Sequence, residues 1–264
     1  MIRKHFLWLF CASLLFSITI ISWRPVSGTG ADSNTTKVFT PKEVFEQYVN
    51  TLYQTAKLQQ TGLDVTVFQK ALTGYFNLKL ANKLPQNSSV ITVVDLSKSS
   101  RQKRMWIIDI IAKQLLLNTW VAHGQGSGDD IPSQFSDNND SHQSSLGFYL
   151  TDDVYMGKHG RSLHLDGLDE GFNASARARE IVLHAADYVG QSAIDKMGRL
   201  GRSFGCPAVS PKVSNQVINT IKGKTMLFIN GNDSSYTSKY LDENALDSFV
   251  PDTTATVYTQ VTSK

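Results

Sequence analysis

Cys206 lies in the run Gly201-Arg202-Ser203-Phe204-Gly205-Cys206-Pro207-Ala208, a setting in which a thiol can serve as a nucleophile. Gly205 permits a sharp backbone turn, and Pro207 keeps the thiol from being absorbed into a regular strand. Arg199 and Arg202 are close in sequence and are expected to favour the thiolate. A free thiol has a pKa of about 8.5 and is mostly protonated at neutral pH, so positive charge activates it. Nucleophilic catalysis by a thiolate also needs a base within hydrogen-bond reach, generally a histidine. Five histidines follow the N-terminal segment: His123, His142, His159, His164 and His184. His184 ends the apolar run Ile181-Val182-Leu183 and precedes Ala185 and Ala186, which places an imidazole beside open space at a core edge. His164, between Leu163 and Leu165, could also face a cleft. His142, in the polar run Asp137 to Ser145, reads as solvated, and His159 lies in a glycine loop.

A lone cysteine is often just a small buried residue. Here the compartment argues for use. Arg3 and Lys4 precede an apolar run from Phe6 to about Trp23, the pattern of an export signal, with Val26-Ser27-Gly28 as small residues for cleavage. Ser13, Ser17, Thr19 and Ser22 interrupt the run, so residues 1–28 read as a signal peptide or an anchor, with membrane anchoring through this segment left open. Cys11, the other cysteine, lies within that run. In an oxidising compartment a single unpaired thiol is either buried or functional.

The chain carries 26 basic and 23 acidic residues. Arg3, Lys4 and Arg24 fall in the first 28 residues, which hold no acid, so the remainder is balanced at 23 against 23. That balance argues against an electrostatic nucleic-acid binder. The 236 residues beyond position 28 suffice for one well-filled domain with an appendage.

Residues 29–39 read as a linker. Thr40-Pro41-Lys42-Glu43 forms a capping box with proline at the first helical position, and Val44, Phe45, Tyr48, Val49, Leu52 and Ala56 follow at helical spacing. Asp64 caps a second helix bearing Phe68, Ala71, Leu72, Tyr75 and Phe76. The pair, within residues 40–85, is expected to pack as a hairpin on the main domain through these aromatics. From Ser89 the period changes to that of strands. Val90–Leu96, Met105–Ile111 and Leu115–Ala122 predict an antiparallel meander, with further strands over 146–150 and 225–229. Ser210-Pro211 starts a helix running through Ile221, and residues 232–264 read as a polar tail. The glycines of His123-Gly124-Gln125-Gly126-Ser127-Gly128 are followed by Asp129 and Asp130, which would repel phosphate. Gly157-Lys158-His159-Gly160-Arg161-Ser162 likewise lacks phosphate-loop spacing.

Ser203-Phe204-Gly205-Cys206, with an upstream histidine ending a strand, resembles the catalytic motif of the L,D-transpeptidases of the YkuD type. Asn173 through His184, followed by Gly201 to Val209, is most similar to the murein L,D-transpeptidase catalytic domain branch. Val94-Asp95-Leu96 in the meander and Leu146-Gly147-Phe148-Tyr149 fit the same branch. The resemblance spans roughly residues 88–231 and assigns the catalytic domain to 86–231. It implies a mainly β fold with flanking helices, an L,D-transpeptidase-like β-sandwich or barrel preceded by the helical hairpin. Cys206 would be the nucleophile, His184 its base, and Ser203 and Gly205 would shape the turn and the oxyanion amides. A backbone carbonyl could orient the far nitrogen of His184. Arg202 and His164 are candidate substrate contacts. The implied partner is a peptidoglycan stem peptide, with cross-linking or carboxypeptidase trimming as outcomes, in a bacterial periplasm or cell envelope. No metal or organic cofactor is implied. The sequence assigns no oligomeric state.

Three departures bear on substrate choice. Ala208 stands where better-known members carry an arginine, and Ala185 replaces a glycine after the histidine. The 22-position gap from His184 to Cys206 is also longer than expected. Pattern alone fits Asn173–Val189 to an alanine-rich helix, whereas the resemblance places Glu180–Ala185 on a strand, which Ile181-Val182-Leu183 favours. Two other functions are open: a metal-dependent amidase or peptidase using His164, Asp166, His184 and Cys206, and a non-catalytic peptidoglycan-binding module. The first lacks any close-spaced ligand pair. The second gives no role to an exposed thiol in an oxidising compartment.

Overall fold

The computed structural model describes residues 39–244. The export segment, the linker before residue 39 and the tail from 245 onward lie outside the described residues. Helix α1 (Pro41–Thr55) begins as expected: Thr40 Oγ1 accepts from Glu43 N at 3.2 Å and Glu43 Oε2 accepts from Thr40 N at 2.9 Å. Helix α2 (Val65–Leu80) is capped by Asp64, whose Oδ1 accepts from Thr66 N at 2.8 Å and Val67 N at 3.4 Å.

Nine strands follow: β1 (Val90–Asp95), β2 (Met105–Asp109), β3 (Gln114–Thr119), β4 (Val121–Ala122), β5 (Gly147–Gly157), β6 (Gly160–Gly167), β7 (Val182–Ala185), β8 (Ala208–Val209) and β9 (Met226–Asn230). They form one sheet in the order β3-β2-β1-β9-β5-β6-β7-β8-β4. The two end strands, β3 and β4, are separated in sequence by Trp120 alone. The sheet must therefore curl until its ends meet, giving a nearly closed barrel. Helix α3 (Gln191–Met197) precedes the Cys206 turn and helix α4 (Pro211–Ile221) follows it.

Strand period explains how both faces are filled. Ile91, Val93, Trp106, Ile108, Phe148, Met226 and Phe228 point into one cluster with Phe45, Leu52, Phe68 and Leu72 of the helical hairpin. Val94, Met105, Ile107, Tyr149, Leu227 and Ile229 point the other way, into the barrel, with Val217, Ile218 and Ile221 of α4. Phe148 and Phe228 stack with centroids 4.4 Å apart, each fully buried and contributing about 2 kcal/mol by removal from water. Gly74, in the middle of α2, allows this approach: a Cβ there would lie 2.0 Å from Phe148 Cε1.

The antiparallel meander β1-β2-β3 agrees with the sequence reading. Its second strand stops at Asp109, short of Ile111, because Asp109 Oδ1 accepts from the amides of Ile111 (3.0 Å) and Ala112 (2.9 Å) and turns the chain. The third expected strand is two. The residues after Trp120 leave the meander and pair with β8. The supposed glycine loop at 157–162 is instead a hairpin, with Gly157 paired to Gly160 across Lys158-His159. Its two strands carry the chain well past the expected end at Leu150, with a register shift between Thr151 and Val154. Over 173–189 the structure is a strand from Val182, preceded by turns, and not a helix. Helix α3, framed by Gly190 and Gly198, was not anticipated.

Residues 232–244, polar by composition, are nonetheless packed. Tyr240 is buried against the helical hairpin, and Asn77 Nδ2 donates to the carbonyls of Tyr240 (2.8 Å) and Asp242 (2.9 Å). The buried Asp169 carboxylate accepts from Phe148 N, Tyr236 Oη and Ser238 Oγ, tying this segment down. Among the described residues no helix is long and apolar enough to cross a membrane.

Candidate active site

Strand β7 runs parallel to β8, with His184 opposite Ala208 and Ala185 opposite Val209. Cys206, two residues before Ala208, therefore lies beside the start of β7. Its half-buried thiol accepts a hydrogen bond from Val182 N at 3.5 Å and donates to Glu180 O at 3.6 Å. The turn leading into it is internally tied. Ser203 N donates to His123 O, Gly205 N to Ser203 Oγ (3.1 Å), and Ser203 Oγ to Cys206 O (2.6 Å). Gly205 has φ +120, a conformation that glycine alone adopts freely. The amides of Phe204 and Cys206 have no hydrogen-bond partner among the described residues.

Cys206 and His184 open into one cavity of about 560 Å³, shared with Ser203, Arg202 and His164. Sequence reasoning had named all five. His184 is buried, and its Nδ1 lies 2.9 Å from Ala185 O. A carbonyl can only accept, so Nδ1 carries the proton and Nε2 is left with its lone pair. No direct hydrogen bond joins the thiol and the imidazole among the described residues. Such bonds are often long before substrate arrives.

Burial dominates the electrostatics. It pushes the Cys206 thiol above its ordinary value, against the pull of the Val182 amide, Arg179 and Lys158, while Glu180 adds to the rise. Burial also lowers His184, opposed by the Ala185 carbonyl and reinforced by His159 and Lys158. Both shifts favour the uncharged forms, so the resting pair is thiol and neutral imidazole. This corrects the expected activation by Arg199 and Arg202: Arg199 Nε sits 2.7 Å and Arg202 Nη1 3.3 Å from Asp129, and Arg202 Nη1 also donates to Gly128 O at 2.7 Å. Their charges serve that carboxylate.

His164 lines the cavity, but its Nδ1 is 2.9 Å from Asp153 and its ring stacks on Tyr155 at 4.3 Å. Asp166 is held by Arg177 and Lys224. Among the described residues no three histidine, cysteine or acidic side chains are arranged to hold a metal ion.

Several cavity residues were not singled out from sequence. Arg179 is 4% exposed and reaches toward Gly205 from behind. Glu180, the residue whose carbonyl meets the thiol, has φ +53. It sits at the left-handed end of a turn closed by Ile181 N to Ala176 O (2.9 Å) and Glu180 N to Arg177 O (3.1 Å). Tyr188 lines the wall, its phenol pushed up to about 12 by burial and by Cys206. His159 crosses from the hairpin tip to stack on His184 at 4.3 Å, and His142, expected to be solvated, stacks on Phe204 at 4.4 Å. The glycines of the 124–128 run also find a reason: a Cβ on Gly124 would lie 2.4 Å from His142 O and 2.9 Å from Gly205 N. Backbone approach beneath the Cys206 turn requires Gly124, while a Cβ on Gly126 would lie 2.3 Å from Ser141 O and Gly128 has φ +133.

A family model for the L,D-transpeptidase catalytic domain matches residues 59–230, and the chain belongs to that family. No curated protein matches the chain significantly. Solved structures similar to it include an L,D-transpeptidase from Mycobacterium smegmatis, at 10% identity and TM-score 0.35, covering 55% of this chain and 59% of that one. Another, from Mycobacterium tuberculosis H37Rv, shows 12% identity and TM-score 0.33 over 54% of this chain and 58% of that one. A third, an L,D-transpeptidase from Stackebrandtia nassauensis, shows 13% identity and TM-score 0.32 over 80% of this chain and 88% of that one. The chain thus spans 59% of the length of the first of these.

Proposed function

We propose that the protein is a cysteine acyltransferase acting on peptidoglycan stem peptides. The observation carrying this reading is that Cys206, in the turn entering β8, and His184, on the parallel neighbour β7, line one cavity in a chain of the L,D-transpeptidase catalytic domain family. His184 Nε2 takes the thiol proton as Sγ attacks the carbonyl carbon of the diamino acid preceding the terminal D-alanine. The Cys206 amide meets the oxyanion; the Gly205 amide, engaged by Ser203 Oγ, stays within the turn. Losing one such donor typically costs about 100-fold in rate. The bond to D-alanine breaks, His184 returns the proton to the departing amine, and a thioester remains. An amine on a second stem then attacks, passing its proton to His184, to give a cross-link; water gives trimming instead.

Two charges suit this donor. The Glu180 carboxylate and the Lys158 ammonium belong to cavity-lining residues, make no ion pair or side-chain hydrogen bond among the described residues, and both act on the thiol. Glu180 matches the side-chain ammonium of the diamino acid, and Lys158 the carboxylate of the terminal D-alanine. The basic and apolar N-terminal run supports export to the envelope, where this substrate lies.

Incubation with disaccharide tetrapeptide, read by chromatography and mass, tests the reading. It expects free D-alanine with cross-linked dimer or tripeptide, unaffected by strong chelation and lost in Cys206→Ala. Turnover that persists in Cys206→Ala would overturn it.

A further inference from the structure

We propose that Arg179 is the positioning residue for Cys206, its guanidinium clamping the 136–145 loop against the Gly205 turn and holding positive charge behind the thiolate. This rests on the reading of Cys206 as nucleophile. Arg179 Nη1 donates to Ser136 O at 2.8 Å and to Ser145 Oγ, while Nη2 donates to Ser141 Oγ at 3.2 Å and Gln143 O at 3.0 Å. The Gln143 carbonyl it grips is the one Gly205 packs on: a Cβ at Gly205 would lie 2.8 Å from that oxygen and 3.6 Å from Arg179 Nη2. The next residue along, Glu180, supplies the carbonyl that meets the thiol. One side chain thus braces both walls around Cys206. Only a planar fork with several donors can do so, which a lysine cannot imitate.

The other cations near the cavity are engaged or peripheral. Arg177 is held by Asp152 and Asp166, Arg199 and Arg202 by Asp129, and Lys158 stands on the hairpin tip. Arg179 has Asp137 at 3.6 Å, one of whose carboxylate oxygens lacks a hydrogen bond. The thiol is also faced by the Glu180 carboxylate, the His184 imidazole and the Tyr188 phenol. Burial keeps the resting thiol protonated, and among the charges opposing it Arg179 is foremost. Its influence is therefore largest when the thiolate forms.

The test is the rate of iodoacetamide alkylation at Cys206 against pH, in the wild type, Arg179→Gln and Arg179→Lys. Arg179→Gln should raise the titration midpoint by about one pH unit, slowing alkylation at pH 7 by roughly tenfold. Arg179→Lys should keep the midpoint near the wild type but lower kcat with KM little changed, because charge is retained and the clamp is not. A folded Arg179→Gln with the wild-type midpoint, or an Arg179→Lys displaced equally far, would overturn the proposal. Should Arg179→Gln not fold, Asp137→Asn reads the same field with opposite sign: its midpoint should fall, and an unchanged or raised midpoint would contradict the assignment. Alkylation needs no donor peptide, so a wrong substrate would leave this titration intact and the two failures stay distinct.

Discussion

The imidazole of His159 lies over that of His184, ring centroids 4.3 Å apart and planes 22° from parallel. The hairpin β5-β6 thus places a second imidazole against that of His184, and positive charge at His159 disfavours a proton on His184. In the proposed mechanism His184 must be neutral to accept the thiol proton, so activity is expected to fall as pH drops through its pKa. His159→Phe keeps the stack and removes the charge. The His184 pKa should then rise, moving the acid limb of kcat/KM upward by roughly half a pH unit. A pH–rate profile checks this; an unmoved or lowered limb would show that His159 does not act on the base.

Gly124 supports the nucleophile turn from below. Gly124→Ala places a methyl group 2.4 Å from His142 O and 2.9 Å from the Gly205 backbone, which must shift. A displacement near 1 Å in a catalytic group can cost about 100-fold. The expected result is a fall in kcat of that order with the thermal transition lowered by only a few degrees. Wild-type kcat in the variant would mean the turn tolerates the shift.

Glu180 holds a left-handed backbone conformation that costs a non-glycine residue about 1 kcal/mol. Glu180→Gly should therefore stabilise the fold by about that amount while raising KM for the tetrapeptide donor roughly tenfold, as a carboxylate contact is lost. Denaturant unfolding and steady-state kinetics measure the two effects separately. A more stable variant with unchanged KM would remove Glu180 from donor recognition.

His123 is a buried imidazole with no place in the chemistry. Its Nδ1 accepts from Arg104 Nη2 at 2.8 Å, Arg104 itself being fully buried, and its carbonyl holds Ser203 N. Burial, then the Arg104 charge, lowers its pKa to about 4. The unfolded chain, with a histidine near 6.5, takes up the proton first as pH falls. This group's contribution is thus complete above about pH 6.5 and is lost down to about pH 4, a change of about 3 kcal/mol. Urea midpoints should fall between pH 7 and pH 5 in the wild type and less so in His123→Gln.

The amphipathic helices were legible because burial imposes a period of 3.6 residues around Phe45 and Phe68, and the meander because β1 is a β-branched run, buried on both faces. Cys206 and His184 were legible because glycine, proline and an apolar run mark the ends of short strands. Arg179 and Glu180 were not, since charged residues in an alanine-rich stretch look like a solvated helix face. Only the chain's return, which puts the 136–145 loop against Gly205, makes a core guanidinium of the first. The hairpin at Gly157–Gly160 was hidden for a related reason: its strands are half-exposed at the cavity rim and lack a clean alternation. The arginines nearest Cys206 in sequence misled, because Asp129, far upstream in the chain, captures both.

The central claim is that Cys206 forms the acyl-enzyme, and intact mass after brief incubation with a tetrapeptide muropeptide tests it most directly. The account predicts an increase equal to the donor less D-alanine, lost on mild hydroxylamine treatment and absent in Cys206→Ala. A protein that releases D-alanine with no adduct at Cys206, or whose Cys206→Ala form carries the same adduct, would contradict it.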